Sequence, residues 1–124
     1  MDVLNTAPIV KRYLGKKYGS GSKGCFIFAS KFYEDIFGIT VPPDYLEVLK
    51  LFNVVKNPKF GDVVLIRAHP IVVNHIGLYL GNNEFLHGGT MENKDEVILS
   101  RIYELPWSNL IVGYLRHPRN YDKD

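Results

Sequence analysis

The sequence predicts a single α+β domain in which helices come first and an antiparallel sheet follows. Apolar residues recur at helical spacing as far as residue 52, whereas β-branched and aromatic segments separated by turns begin at Phe60. A chain of 124 residues has room for one core, and 46% hydrophobic with 23% charged residues is the composition of an ordinary globular protein.

Three helical segments are predicted from their apolar spacing, over residues 3–14, 25–37 and 45–52. The second is the best defined, because Gly38 stands at the position of a C-terminal cap. A glycine-rich loop, residues 15–24, is predicted to precede it. Its apolar stripe consists of Cys25, Phe28, Ala29, Phe32 and Ile36.

Five strands are predicted after Phe60, over residues 63–67, 72–80, 84–87, 96–100 and 110–116. The polar residues that follow them are expected to be loosely held. The domain is therefore assigned to residues 1–116 and a polar tail to residues 117–124.

Several functional classes are excluded by composition. One cysteine cannot form an internal disulfide, a CxxC zinc site or an iron–sulfur cluster, and a net charge of +2 does not indicate nucleic acid binding. The longest apolar run is too short for a membrane-spanning helix, and the first residues do not predict a secretory leader.

Positive charge is concentrated near the start of the chain. No acidic residue occurs between Asp2 and Glu34. The basic residues there are Lys11, Arg12, Lys16, Lys17, Lys23 and Lys31. A solvated basic face is the ordinary interpretation, and the alternative is a face that meets an anionic surface or supports a thiolate at Cys25.

Cys25 is the candidate nucleophile. It stands at the first turn of a predicted helix, where backbone N–H groups, the helix dipole and Lys23 would stabilise a thiolate. We therefore expect a lowered thiol pKa and a thiol reachable from a surface groove. A buried cysteine that only fills space is the alternative.

Two of the four histidines are candidate bases. His69 and His117 each precede a proline and are expected at the surface, whereas His75 and His87 flank a predicted hairpin. A three-residue turn at residues 80–82 would pair His75 with His87 on one face, and a two-residue turn at residues 81–82 would separate them.

Cys25, His75 and His87 can therefore form a relay in which one histidine is the base and the other orients it. Two ordinary strand histidines with satisfied ring nitrogens are the alternative. A zinc site made of the same three residues is also conceivable, although nothing in their spacing favours it.

The order of segments resembles the NlpC-type cell-wall cysteine peptidases, which have a small papain-like fold. The histidine-containing segments, 75–81 and 85–88, are the most specific part of the resemblance. The other matching segments are 15–19, 25–30, 37–42, 60–64, 106–107 and 111–116, and the last two are most like the short versions found in bacteriophage tails.

The resemblance implies a role for each candidate. Cys25 would be the nucleophile, His75 the general base and His87 the residue that orients it, and Tyr18 would line the site beside the oxyanion. The implied substrate is a peptidoglycan stem peptide cut between γ-D-glutamate and a diamino acid. No metal or organic cofactor is implied.

The sequence departs from the family beside the nucleophile. The usual D-C-S-G motif reads Gly24-Cys25-Phe26-Ile27 here, and the loop between Tyr18 and Cys25 is shorter. Because Ile27 replaces a glycine, we expect it to fill the floor of the cleft and leave a shallow pocket at Cys25.

The leading hypothesis is a peptidoglycan hydrolase of a phage tail that helps to penetrate the cell wall. The alternative is a catalytically degenerate structural module of a tail tip, and a weaker one is a cytosolic enzyme acting on a small amide or γ-glutamyl peptide. The expected partners are stem peptides and other tail-tip proteins, with no nucleic acid and no membrane insertion. The expected location is the virion, or the host cytoplasm during assembly, without a signal peptide.

Overall fold

A six-stranded antiparallel sheet with helices packed on it forms the computed structural model, which describes residues 6–19, 21–67, 75–88 and 96–120. The helices are α1 (Ala7–Tyr13), α2 (Gly21–Phe32), α3 (Tyr45–Leu51) and α4 (Trp107–Leu110). The strands are β1 (Asn53–Val55), β2 (Val63–Ile66), β3 (His75–Gly81), β4 (Glu84–Gly88), β5 (Val97–Arg101) and β6 (Ile111–Arg116), in the order β1-β6-β2-β3-β4-β5. The predicted α+β class is confirmed.

The helix that carries Cys25 begins earlier than predicted. Helix α2 starts at Gly21 and so includes the end of the segment predicted as a loop. It continues into a π-helix, Tyr33–Phe37, and ends at Gly38, whose left-handed backbone (φ 67°) confirms the predicted cap. The predicted helical residues 3–5, Ser20 of the loop, the strand residues 72–74 and His69 lie outside the described residues.

Strand β1 and helix α4 were not predicted. Strand β1 has three residues and lies at the edge of the sheet, and α4 is a single turn that follows Pro106. Elements of this length carry too few residues to show a period in the sequence. Among the described residues, no helix has both the length and the apolar character that crossing a membrane requires.

The sheet is buried on both faces, and β3 lies at its centre. On the α2 face, Ile76, Leu78 and Leu80 of β3 join Phe28 and Phe32 in one core cluster. The opposite face holds a second cluster, formed by Val64, Ile66, Tyr79, Phe85, Ile102 and Trp107. As period-2 alternation requires, successive side chains of β3 enter different clusters.

The turn between β3 and β4 differs from the one predicted. Asn82 and Asn83 form it, both with positive φ (50° and 65°), and a bulge follows Tyr79. Tyr79 pairs with Phe85, so the register is shifted by two residues from the predicted one. Because a shift of two residues preserves the face on which each side chain lies, His75 and His87 remain on the same face.

A buried ion pair fixes the entry to β2 against the end of β6. Asp62 is fully buried, and its carboxylate accepts hydrogen bonds from Nε and Nη2 of Arg116 at 2.7–3.1 Å. The Lys59 N–H also donates to Asp62, and Arg116 donates to the Asn57 carbonyl. The pair therefore holds residues 57–62 in place next to the central strands.

His117 is buried, contrary to the expectation that it lies at the surface. Its ring packs against Phe52 and Tyr33, with centroids 5.1 and 6.1 Å apart, and its Nδ1 accepts the Arg119 N–H. A 3₁₀ turn, Pro118–Asn120, follows. The start of the predicted tail is thus packed on the domain, because the His117 ring contacts Tyr33 and Phe52.

We expect Arg116→Met to lower the free energy of unfolding by about 3–5 kcal/mol, because it leaves the Asp62 carboxylate buried without its partner. Urea denaturation monitored by circular dichroism measures the loss. The matched control is Arg101→Met, which removes an exposed ion pair with Glu84 and should cost less than about 1 kcal/mol. Equal losses in the two variants would contradict a structural role for the buried pair.

Candidate active site

Two histidines form a buried hydrogen-bonded pair on the sheet face opposite α2. His75 is the first residue of β3, and its Nε2 lies 2.8 Å from Nδ1 of His87 on β4. The two rings meet edge to face, with centroids 5.0 Å apart. The predicted placement of both imidazoles on one face is therefore confirmed, although the pair is diagonal across the strands rather than directly opposed.

His87 is enclosed by three side chains. Ser100 of β5 places its Oγ 2.9 Å from Nε2, Phe85 stacks on the ring at 4.7 Å, and Trp107 meets it edge-on at 4.5 Å. Ser100 was not predicted as a site residue. The available signal was a hydroxyl that follows three apolar residues of the strand, but its meaning depends on the β4–β5 register, which pairs Ser100 with Phe85.

Cys25 lies in α2 where the helix crosses the ends of β3 and β4. It is the fifth residue of α2 and only 1% exposed, so the predictions of a first-turn position and a thiol reachable from a groove are wrong. A Cβ built on Gly88 would lie 3.7 Å from Cys25 Cα, and the Ile76 N–H faces the sulfur. Each of these two residues directly follows one of the paired histidines.

The thiol is protonated in the folded protein at neutral pH. Burial raises the pKa of Cys25 to about 11, although the backbone N–H groups of Ile76, Cys25 and Phe26 favour the thiolate. The expectation of a lowered thiol pKa is therefore wrong. Loss of water around the sulfur outweighs the helix dipole and the nearby N–H groups.

Both imidazoles are neutral as well. Burial lowers the pKa of His75 to about 4, and burial followed by the proximity of His75 holds the pKa of His87 well below its ordinary value. Nδ1 of His75 has no hydrogen-bond partner within the described residues. The expectation that His75 lies within reach of the Cys25 sulfur stays a prediction. No group of three or more His, Cys, Asp or Glu side chains in the described part of the chain is arranged to hold a metal ion.

Tyr18 is half-buried at the edge of this region. Its ring lies 5.5 Å from that of Phe28, one turn along α2 from Cys25. Burial and the charge of Asp35 raise its pKa, while Lys31 and Arg12 oppose the shift. Arg12 and Lys31 also pair with Asp35, at 3.2 and 3.6 Å, so part of the basic stretch is neutralised. The role of Tyr18 beside an oxyanion stays a prediction.

A close backbone contact leaves room only for glycine at position 24. A Cβ at this position would lie 2.1 Å from the carbonyl oxygen of Gly19, far inside any real contact. The short loop before α2 therefore crosses the helix directly over residue 24. This packing leaves no room for a side chain at position 24, where the motif that the sequence resembles has an aspartate.

Ile27 does not fill the floor of a cleft at Cys25. It is 42% exposed and lines a shallow depression on the outer side of α2 together with Ser30, Lys31, Glu34 and Pro43. Two residues along a helix correspond to a rotation of roughly 200°, so Ile27 points away from the face that carries Cys25. The expectation placed it on the wrong side of the helix.

Comparison with known proteins identifies relatives that are named as endopeptidases. A model of the NlpC/P60 family matches residues 15–116. A probable endopeptidase NlpC homolog from Haemophilus influenzae is 30% identical over 109 residues, covering 78% of this chain and 57% of that protein. The murein DD-endopeptidase MepS/murein LD-carboxypeptidase of Escherichia coli K12 is 34% identical over 93 residues, covering 72% and 47%.

The fold is shared with solved structures. NlpC1 from Trichomonas vaginalis superposes with a TM-score of 0.69 at 25% identity, covering 94% of this chain and 45% of that one. The chain spans about half the length of the curated relatives that it matches.

We expect Gly24→Ala to destabilise the domain by about 1–3 kcal/mol, because the new Cβ must displace the Gly19 carbonyl. Inside a helix a glycine-to-alanine substitution ordinarily stabilises the protein by about 1 kcal/mol. A loss of stability in Gly24→Ala would therefore itself indicate the contact. Thermal and urea unfolding measure the change. In the control, Gly113→Ala, the nearest atom is 3.9 Å away and no comparable loss is expected. A Gly24→Ala protein as stable as the wild type would refute the contact.

We expect acid to destabilise the domain through the histidine pair. The folded pKa of His75, about 4, lies below its unfolded value of about 6.5, so the unfolded chain binds more protons between these pH values. The contribution of neutral His75 to the free energy of unfolding is therefore complete above pH 6.5 and is lost as the pH falls towards 4. His75 alone accounts for about 3 kcal/mol, and His87 acts in the same direction.

Urea unfolding between pH 7 and pH 4.5 measures this dependence. The double variant His75→Gln/His87→Gln should show a much weaker dependence than the wild type. His117→Gln is the comparison variant. Burial lowers the pKa of His117 as well, so this variant removes one shifted histidine and leaves the pair intact. An unchanged slope in the double variant would show that the pair is not responsible.

Proposed function

The chain belongs to the NlpC/P60 family, and on this premise we propose that it is a cysteine peptidase that hydrolyses peptidoglycan stem peptides. The observation that carries the proposal is the buried His75–His87 pair, whose outer nitrogen, Nδ1 of His75, has no partner within the described residues. Cys25 lies against the residues that directly follow each of these histidines.

The proposed chemistry begins with proton transfer. Nδ1 of His75 takes the Cys25 proton as the sulfur attacks the carbonyl carbon of the scissile amide, and His87 holds the imidazolium that results. His75 then gives the proton to the leaving amine as the carbon–nitrogen bond breaks. Water hydrolyses the thioester, with His75 again acting as base.

A neutral resting site fits this mechanism. With a thiol pKa of about 11 and an imidazole pKa of about 4, the proton stays on sulfur until a substrate is bound. Proton transfer to His75 is therefore coupled to attack by the sulfur, because exclusion of water disfavours a separate pair of charges at this site. The N–H groups of Ile76, Cys25 and Phe26 stabilise the negative charge that develops on the sulfur.

For the scissile bond we propose the linkage between γ-D-glutamate and a diamino acid, because the motifs around His75 and His87 resemble enzymes of that specificity. The Escherichia coli relative is named for DD-endopeptidase and LD-carboxypeptidase activities. The bond must therefore be identified from the products themselves.

For the biological setting we propose a phage tail, supported by the resemblance of residues 106–116 to short tail-associated versions. Stem peptides and neighbouring tail-tip proteins are the proposed partners, with the virion, or the host cytoplasm during assembly, as the proposed location. Antibody labelling of intact particles tests this setting, and particles without tail labelling would exclude it.

Digestion of purified peptidoglycan under reducing conditions, followed by mass spectrometry of the muropeptides, tests the enzyme. Cleavage at γ-D-glutamyl bonds that disappears in Cys25→Ala supports the proposal. If no wall type is cleaved by the wild-type protein, the catalytic proposal fails in favour of a non-catalytic module.

The two histidines should differ in their effect on turnover. We expect His75→Ala to reduce kcat by about a thousandfold or more, because it removes the group proposed to take the proton from Cys25. His87→Ala should cost only about tenfold to a hundredfold, since it removes an orienting hydrogen bond. Steady-state rates of variants matched for thermal stability measure both effects. Equal losses would argue against separate roles.

A further inference from the structure

The hydrogen-bonded chain that begins at His75 continues through the His87 ring, whose further partners are the Ser100 hydroxyl and the Gly88 backbone. Nε2 of His75 bonds to Nδ1 of His87, and Nε2 of His87 lies 2.9 Å from Oγ of Ser100. Ser100 is only 9% exposed, and its backbone is fixed by pairing with Phe85 in the β4–β5 ladder. The two rings and the hydroxyl thus form one continuous polar line inside the sheet.

The position of one proton in this line determines the others. A neutral imidazole has one N–H donor and one nitrogen acceptor. If His75 is to accept a proton at Nδ1, its own proton must lie on Nε2 and be donated to Nδ1 of His87. The His87 proton must then lie on Nε2, where the acceptor is the Ser100 oxygen.

The opposite arrangement is unfavourable in this site. It would place a proton on Nδ1 of His75, which has no hydrogen-bond partner within the described residues. A buried N–H without an acceptor is among the costlier defects in a protein interior. It would also leave His75 unable to take a proton from Cys25.

We propose that Ser100 is a positioning residue that accepts the Nε2–H of His87 and thereby keeps Nδ1 of His75 unprotonated and ready to act as a base. The predicted effect of Ser100 on catalysis rests on the proposed function. Its effect on the tautomers of His75 and His87 does not. Phe85 and Trp107 contact the His87 ring without hydrogen bonding to it in the described structure, so they restrict its tilt but not the location of its proton.

Ser100→Ala tests the proposal, with Ser100→Thr as the variant that keeps the hydroxyl and Ser108→Ala as a control at an exposed serine. Long-range ¹⁵N–¹H spectra of the full chain labelled at histidine report which ring nitrogen carries each proton. We expect Nε2–H on His75 and His87 in the wild type and in Ser100→Thr, and a shift towards Nδ1–H in Ser100→Ala. Muropeptide release by Ser100→Ala should show kcat reduced about tenfold to a hundredfold with little change in KM.

Three results would overturn the proposal. One is Nδ1–H on both rings of the wild type, and another is a Ser100→Ala protein with wild-type tautomers and kcat. The third has three parts: kcat falls equally in Ser100→Ala and Ser100→Thr, the fall parallels a loss of thermal stability, and the histidine tautomers are unchanged. If the wild type releases no muropeptides, the proposed function fails, but the ¹⁵N spectra still decide whether Ser100 sets the tautomer.

Discussion

The alternation of β3 between two buried faces is the constraint on which the site depends. Ile76, Leu78 and Leu80 enter the core beneath α2, while Tyr79 enters the cluster on the opposite face. A slip of one residue would exchange these sets and bury an imidazole among the rings of α2, so the register is strongly specified. The contact between His75 and His87 is therefore a consequence of aliphatic packing on the other side of the strand.

Burial also sets the chemical character of the site. The same exclusion of water that lowers the pKa of His75 raises that of Cys25, so neither group carries a charge in the resting protein. Charge is instead held in a separate place, in the ion pair of Asp62 with Arg116. The domain thus keeps its structural ions apart from the groups proposed to exchange a proton.

The α+β fold class, the apolar stripe of α2 and the shared face of His75 and His87 could be predicted from the sequence. Each depends on the spacing of apolar residues within one segment. The turn was misplaced since glycine was preferred, although two consecutive asparagines tolerate positive φ equally well at Asn82 and Asn83. The burial of Cys25 was only one of two alternatives, and the contact of Ser100 with His87 could not be predicted. Both arise where separate elements meet, and no local pattern encodes such contacts.

The Gly19 carbonyl above Gly24 makes these two positions epistatic. A side chain can return to position 24 only if the loop before α2 is lengthened or rerouted at the same time, because the oxygen occupies the volume that the first side-chain atom needs. A single substitution that introduces a side chain at position 24 without moving the loop is therefore prevented by this contact. Introducing an acidic side chain beside the thiol therefore requires a change of the backbone at Gly19 together with the substitution at position 24.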